Sequence, residues 1–207
     1  MSGVSLFDRD ESSVAVWWRP TAGATEYRLE MMRRGGDWEV LGRTRGTMVR
    51  KKNLKRGETY AFRVVATSGE ETPSGELSTC VAEGKQLAAP RCLDFDGESA
   101  VLEFERGPVT LEMFDGEQGW TAVARVAGSH AKKKGLTPGR RYYFRAKPDD
   151  DEEYEFSRAS DAIAIPRKAP KLETSFGPFL RNVRGDLVDT ATTLAGRVVA
   201  VYAAASW

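Results

Sequence analysis

The chain has 207 residues, 41% of them hydrophobic and 29% charged, and its 31 basic and 30 acidic side chains leave a formal net charge of +1. This composition suits a soluble globular chain of one large domain or two to three smaller ones, and excludes disorder or a membrane span. The charge balance also removes bulk attraction as a reason to bind nucleic acid, another polyanion or an acidic membrane.

At the start of the chain, Asp8, Arg9, Asp10 and Glu11 interrupt the apolar segment that a secretory signal requires, so a cytoplasmic or nuclear setting is expected. Val14, Val16 and Trp18 then alternate with other positions, followed by Tyr27, Leu29 and Met31, by Trp38 and Val40, and by Tyr60, Phe62, Val64 and Ala66. A period of two puts each set on one face of a sheet. Turn signals such as "PTAGAT", "RRGGD" and "KRGE" separate these runs, and short strands with such punctuation predict an antiparallel sandwich. The pattern then recurs as Ala100, Leu102 and Phe104, Val109, Leu111 and Met113, Trp120 and Ala122, and Tyr142, Phe144 and Ala146.

The recurrence is an internal repeat with a shift of 82 residues. Leu54 falls on Leu136, Gly57 on Gly139, Tyr60 on Tyr142, Phe62 on Phe144 and Arg63 on Arg145. Upstream, Leu29 meets Leu111, Glu30 meets Glu112, Met31 meets Met113 and Trp38 meets Trp120. A gapless register over separated segments marks two copies of one structural unit.

Three features of copy one, Trp18-Arg19-Pro20 after the second strand, Leu54 six residues ahead of Tyr60 across a Gly turn, and Tyr60-x-Phe62-x-Val64-x-Ala66, resemble fibronectin type III domains. Copy two carries Phe104 for the tryptophan, lacks the proline and has four fewer residues in the following loop. The resemblance implies a mainly β chain of two immunoglobulin-like sandwiches in tandem, over residues 4–84 and 90–166. It also implies that Tyr60 and Tyr142 are tyrosine corners, buried rings whose hydroxyls bond backbone near the preceding loop.

Between the copies, "AEGKQLAAPRC" is a short connection in which Pro90 restricts Ala89, and a limited hinge is expected. The two cysteines, Cys80 and Cys92, bracket it; they are too few for a disulfide framework or a zinc site, so both read as inert thiols and neither metal nor cofactor is expected. Arg50-Lys51-Lys52 and Lys132-Lys133-Lys134 coincide in the repeat and form a candidate basic surface. With no aromatic platform interleaved, we read them as solvated positions that guard sheet edges, not as a polyanion site. The run Asp149 to Glu153 reads as a mobile, hydrated acidic loop, since it lacks the alternating ligands and turn glycine of a calcium loop. His130 has no partner at a triad spacing and is given no catalytic role.

After "RKAPK" the composition changes. Residues 179–183 and 187–189 are expected to pair around Arg184-Gly185-Asp186, which reads as a turn; Thr190 to Leu194 suit a helical turn, and Val198 to Tyr202 a strand buried on both faces. Leu194, Gly196, Val198, Tyr202, Ala205, Ser206 and Trp207 resemble the opening of a nucleoredoxin or tryparedoxin type thioredoxin-fold domain, in which Y-x-x-A-S-W leads into C-P-P-C. The resemblance implies an incomplete α/β segment over residues 171–207, with Tyr202, Ala205, Ser206 and Trp207 as the motif ahead of a dithiol that would lie beyond Trp207. The function expected is therefore a pair of protein-interaction modules fused to a thiol-disulfide oxidoreductase domain whose catalytic part this chain lacks. The alternative is a non-enzymatic scaffold made of the two sandwiches, and in both readings the partners are other proteins.

Overall fold

The computed structural model describes residues 3–67 and 72–165, together with the backbone of 179–181 and 187–189. It divides into two compact units, Met1–Pro166 and Arg167–Trp207. Among the described residues there is no helix, and hence none long and apolar enough to cross a membrane.

In the first half of unit one the strands are β1 (Ser5–Arg9), β2 (Val14–Trp17), β3 (Glu26–Arg33), β4 (Glu39–Thr44), β5 (Met48–Lys51), β6 (Tyr60–Thr67), β7 (Thr72–Pro73) and β8 (Leu77–Thr79). They form two antiparallel sheets, β1-β2-β5 and β4-β3-β6, with β7 and β8 both pairing with β6. A short connecting strand, β9 (Lys85–Gln86), follows. The second half repeats the plan with β10 (Arg91–Phe95), β11 (Ser99–Glu103), β12 (Val109–Phe114), β13 (Trp120–Val126), β14 (His130–Lys134), β15 (Arg141–Pro148), β16 (Tyr154–Glu155) and β17 (Ile163–Ala164). Its sheets are β10-β11-β14 and β13-β12-β15-β17. In the second unit β18 (Phe179–Arg181) pairs antiparallel with β19 (Leu187–Asp189). The intervening Arg184-Gly185-Asp186, the expected helical turn and strand, and Tyr202, Ala205, Ser206 and Trp207 lie outside the described residues.

Each sandwich closes over its own core. Val14, Val16, Trp18, Leu29, Met31, Phe62 and Val64 fill the first, and Ala100, Leu102, Phe104, Val109, Leu111, Phe144 and Ala146 the second. These are the alternating residues of the sequence, because one side of each pleated strand faces the opposing sheet. The outer strands β4 and β13 depart from the expected pattern. Val40 is 56% exposed and Ala122 is exposed, whereas Leu41 and Val123 pack on the cores. A bulge in each copy, between Leu29 and Glu30 opposite Leu41 and between Leu111 and Glu112 opposite Val123, adds one residue to the outer strand. One extra residue exchanges the faces beyond it.

The two tyrosines sit at the start of the central strands. Tyr60 Oη accepts from the Lys55 backbone N–H at 2.9 Å and donates to Glu58 Oε2 at 2.9 Å; Tyr142 Oη accepts from the Thr137 N–H at 3.0 Å. Both rings are buried, so replacing either by phenylalanine strands a backbone donor. Tyr60→Phe and Tyr142→Phe are each expected to cost about 1–2 kcal/mol in urea unfolding, with the backbone fold unchanged by circular dichroism.

Candidate functional site

The two sandwiches share a third apolar cluster, built from the outer face of β1 and β2 on one side and of β12, β13 and β15 on the other. Phe7, Ala15, Trp17 and Phe114 are buried in it, and Met48, Trp120, Tyr143 and Ala159 pack against them. The Phe7 ring, 4% exposed, lies edge-on to Phe114 at 4.9 Å and to Tyr143 at 5.1 Å; Trp17 lies edge-on to Phe114 at 4.8 Å. Such edge-to-face pairs match positive ring edges to negative faces and add to the gain from burial. Gly119, in the turn before β13, makes room for the Trp17 ring: its φ is +85°, and a Cβ there would stand 2.9 Å from Trp17 Cζ2.

A polar knot lies beside the rings. Phe7 is the bulged residue of β1, between the pairs Leu6–Val16 and Asp8–Ala15, and a bulge leaves its extra residue outside the ladder. Its carbonyl accepts from Trp120 Nε1 at 2.5 Å and from Arg145 Nη1 at 3.3 Å. Arg145 is held by Glu112, with Nε donating to Oε2 at 2.8 Å, and its guanidinium stacks on Trp120 at 4.3 Å and Phe156 at 4.5 Å. Burial lowers the Arg145 pKa, Glu112 acting against that, and the group stays cationic because a guanidinium is not deprotonated in proteins. The neighbouring Asp8 accepts from the Ala159 N–H at 3.0 Å and pairs with Arg50, which also bonds Ser13 at 2.8 Å.

The expected hinge between the sandwiches is replaced by a stitched connection. β9 pairs in parallel with β16, and Gln86 Nε2 donates to the carbonyls of Arg9 at 3.0 Å and Phe156 at 2.7 Å. Arg9 pairs with Glu155 at 2.9 Å, while Glu155 Oε1 accepts from the N–H groups of Glu83 at 3.1 Å and Gly84 at 3.0 Å. A side chain at Gly84 would meet the Glu153 carbonyl at 2.6 Å. A short connection alone leaves a limited hinge, but the backbone donors of Glu83, Gly84 and Lys85 are satisfied by the second sandwich, and that fixes it.

The basic triplets separate. Arg50 belongs to the junction, whereas Lys51, Lys52, Lys132, Lys133 and Lys134 lie on or just past the outer strands β5 and β14, Lys132 reaching Asp96 at 3.9 Å. The acidic run is drawn onto cations: Asp149 lies 3.6 Å from Arg125, Asp150 3.6 Å from Arg106, and Glu153 2.9 Å from Lys85. His130 lies on an exposed strand, 3.0 Å from Ser129 Oγ and 3.5 Å from Glu103. Among the described residues, no group of three or more His, Cys, Asp or Glu is arranged to hold a metal ion.

Residues 4–76 match the family model described as PBP1-like, fibronectin3-like domain. The first sandwich is a fibronectin type III-like domain. Among solved structures, the chain is similar to a two fibronectin type-III domain segment from chicken tenascin, at 19% identity over 78% of this chain and 95% of that one, with a TM-score of 0.36. It is also similar to the twitchin kinase region from C. elegans (24% identity, 38% of this chain, TM-score 0.32) and to titin kinase and its flanking domains (19% identity, 50% of this chain, TM-score 0.36). It spans 15% of the twitchin chain and 26% of the titin chain.

Two outcomes follow from the junction. Phe7→Ala removes a buried ring from outside both cores, so it is expected to cost about 3–5 kcal/mol and to split one calorimetric unfolding transition into two. Burial raises the Glu155 pKa, but the bonds from Gly84 and Glu83 and the charge of Arg9 outweigh it and hold the carboxyl below its ordinary value. A depressed folded pKa gives stability that is complete above the ordinary Glu value and is lost as pH falls through the folded one. Glu155→Gln is therefore expected to lower the melting temperature at neutral pH and to shrink the further drop on acidification, read from melts between about pH 7 and pH 3.

Proposed function

We propose that this chain is a protein-interaction unit, with residues 4–84 and 90–166 as two fibronectin type III-like modules held at one orientation so that loops and sheet faces of both form a composite binding surface. The observation that carries this reading is the junction of Phe7, Trp120 and Arg145, together with the linker hydrogen-bonded to the second module. Two modules on a loose tether present independent surfaces; two modules sharing buried rings and a desolvated guanidinium present one. The fold brings no chemistry of its own, and sandwiches of this type serve as protein-binding modules, so other proteins are the partners.

Trp120→Ala tests the reading, since it removes the ring and the N–H that hold the Phe7 carbonyl and leaves both cores intact. Partners captured by the wild-type chain and identified by mass spectrometry are expected to be lost or bound at least ~10-fold more weakly by the variant, the effect of losing about 1.4 kcal/mol. Unchanged capture by a variant that melts in two steps would show that fixed orientation is irrelevant to binding.

A second reading keeps the oxidoreductase fusion, and it rests on the sequence likeness of Leu194, Gly196, Val198, Tyr202, Ala205, Ser206 and Trp207. Under it these residues precede a redox centre, and no dithiol chemistry falls to the cysteines of unit one. Cys80 and Cys92 are not joined to each other, and burial pushes the Cys92 thiol pKa up, away from the thiolate that attack requires. Insulin reduction by this chain is expected to match that of a variant with both cysteines replaced by serine.

A further inference from the structure

The repeat builds both halves of the junction twice and uses each half once. On the receiving side, Trp120, Arg145 and Glu112 have counterparts in Trp38, Arg63 and Glu30, and the stack of the three is reproduced, with Arg28 added on Glu30 at 2.8 Å and Pro73 at the place of the second ring, Phe156. Arg63 stacks over Trp38 at 4.1 Å against 4.3 Å for Arg145 over Trp120, and it donates to Glu30 at 2.7 Å against 2.8 Å for Arg145 to Glu112. The cross-strand registers agree, Glu30 facing Arg63 as Glu112 faces Arg145. Among the described residues, nothing takes the place that the Phe7 carbonyl occupies over Trp120.

On the inserting side, β1 has a counterpart in β10. β10 is bulged at the equivalent place: Cys92 faces Leu102 and Asp94 faces Val101, leaving Leu93 where β1 has Phe7. Phe7 and Asp8 are buried, whereas Leu93 is 46% exposed and Phe95 47%, and the Asp94 side chain is exposed. A bulged strand with an outward apolar side chain is thus present without the face that covers it in the first sandwich.

We propose that these two unused halves bind each other between molecules: β10 of one chain docks on the Trp38–Arg63–Glu30 face of a second copy. This rests on the protein-binding reading above and names one partner, another molecule of this chain. In the docked pair Leu93 sits against Met32, at a shallow cavity of about 290 Å³ lined by Met32, Arg34 and Ala61, the last standing where the second sandwich has Tyr143. The Leu93 carbonyl takes the Trp38 and Arg63 donors, and Asp94 brings a carboxylate to the Arg63 side of the face, as Asp8 does for Arg145. Where Trp17 packs on Gly119, the counterparts are Glu103 and Asp37, two carboxylates separated by the Arg91 that pairs with Glu103 at 2.6 Å. That exchange makes the contact weaker than the one within a chain, in the range of about 1 μM to 1 mM. Because the two surfaces differ, the contact is head-to-tail, and repeating it builds chains or rings of several copies rather than a closed dimer.

Sedimentation of the full chain at rising concentration tests this directly. The average mass is expected to climb above that of a single chain as concentration approaches ~1 mM. Leu93→Asp, at an exposed position, and Trp38→Ala are each expected to abolish the climb, the fold being checked by circular dichroism. Mixing the two variants is expected to restore association but to stop it at a one-to-one pair, since each supplies the half the other lacks. A chain that stays single at every concentration overturns the proposal, whether residues 167–207 or another protein then covers the Trp38 face. Association that survives both substitutions, or a mixture that remains unpaired, overturns it equally. Capture of other proteins lost in Trp120→Ala would stand in any of these cases, which separates this failure from a failure of the composite-surface reading.

Discussion

The carbonyl of Phe7 is a backbone acceptor that its own sheet leaves exposed, because the bulge in β1 takes this residue out of the ladder. An unpaired carbonyl under a layer of aromatic rings costs as much as a lost hydrogen bond, so the rings bury it only if donors arrive with them. Trp120 and Arg145 supply those donors from the second sandwich. Arg145 is in turn a charge that burial penalises, and it is tolerated because Glu112, two aromatic faces and the carbonyl itself surround it. Each sandwich therefore completes a polar group that the other cannot satisfy alone, and the apolar contact of Phe7, Trp17 and Phe114 depends on that exchange.

This dependence gives the linker its character. A connecting strand that pairs with β16 adds little by itself, since a two-residue ladder is marginal. Its registry is set by the junction, which places Glu155 within reach of Arg9 and of the N–H groups of Glu83 and Gly84. The tight approach of Gly84 to the Glu153 carbonyl is possible only for a residue without a side chain. Burial at the junction and polar closure at the linker thus reinforce each other at the two ends of one strand pair.

Much of the architecture is legible in the chain itself, because alternation of apolar residues and the 82-residue recurrence both follow from the pleat. The outer strands depart from simple alternation for a local reason: a single bulged residue, Leu41 or Val123, reverses which positions face in, and no turn residue announces it. The junction was not legible as a contact, since Phe7 meets residues more than a hundred positions away. A signal was nevertheless present in Trp17-Trp18 and Tyr142-Tyr143. Neighbouring residues on a strand point to opposite faces, so paired large aromatics state that both faces of that strand are covered. Trp18 and Tyr142 fill the cores, while Trp17 and Tyr143 look outward onto the other sandwich.

Duplication explains why the two outer faces of each sandwich are unequal. The faces that meet within the chain are heavily aromatic, with Trp17, Phe114 and Tyr143; their counterparts are Glu103, Met32 and Ala61. The polar frame persists in both copies, since the Trp–Arg–Glu stack and the strand bulge are unchanged, whereas ring area has been withdrawn from the faces that no other described part of unit one covers. Extensive apolar area exposed on a sheet invites unspecific association, but a stack of tryptophan and arginine keeps directional donors at little apolar cost. Selection for a monodisperse double sandwich would trim rings in this way, and the Arg63–Glu30–Trp38 geometry nonetheless matches its docked twin to within a few tenths of an ångström. That retained geometry, not the exposed leucine, is what argues for a second use of the surface.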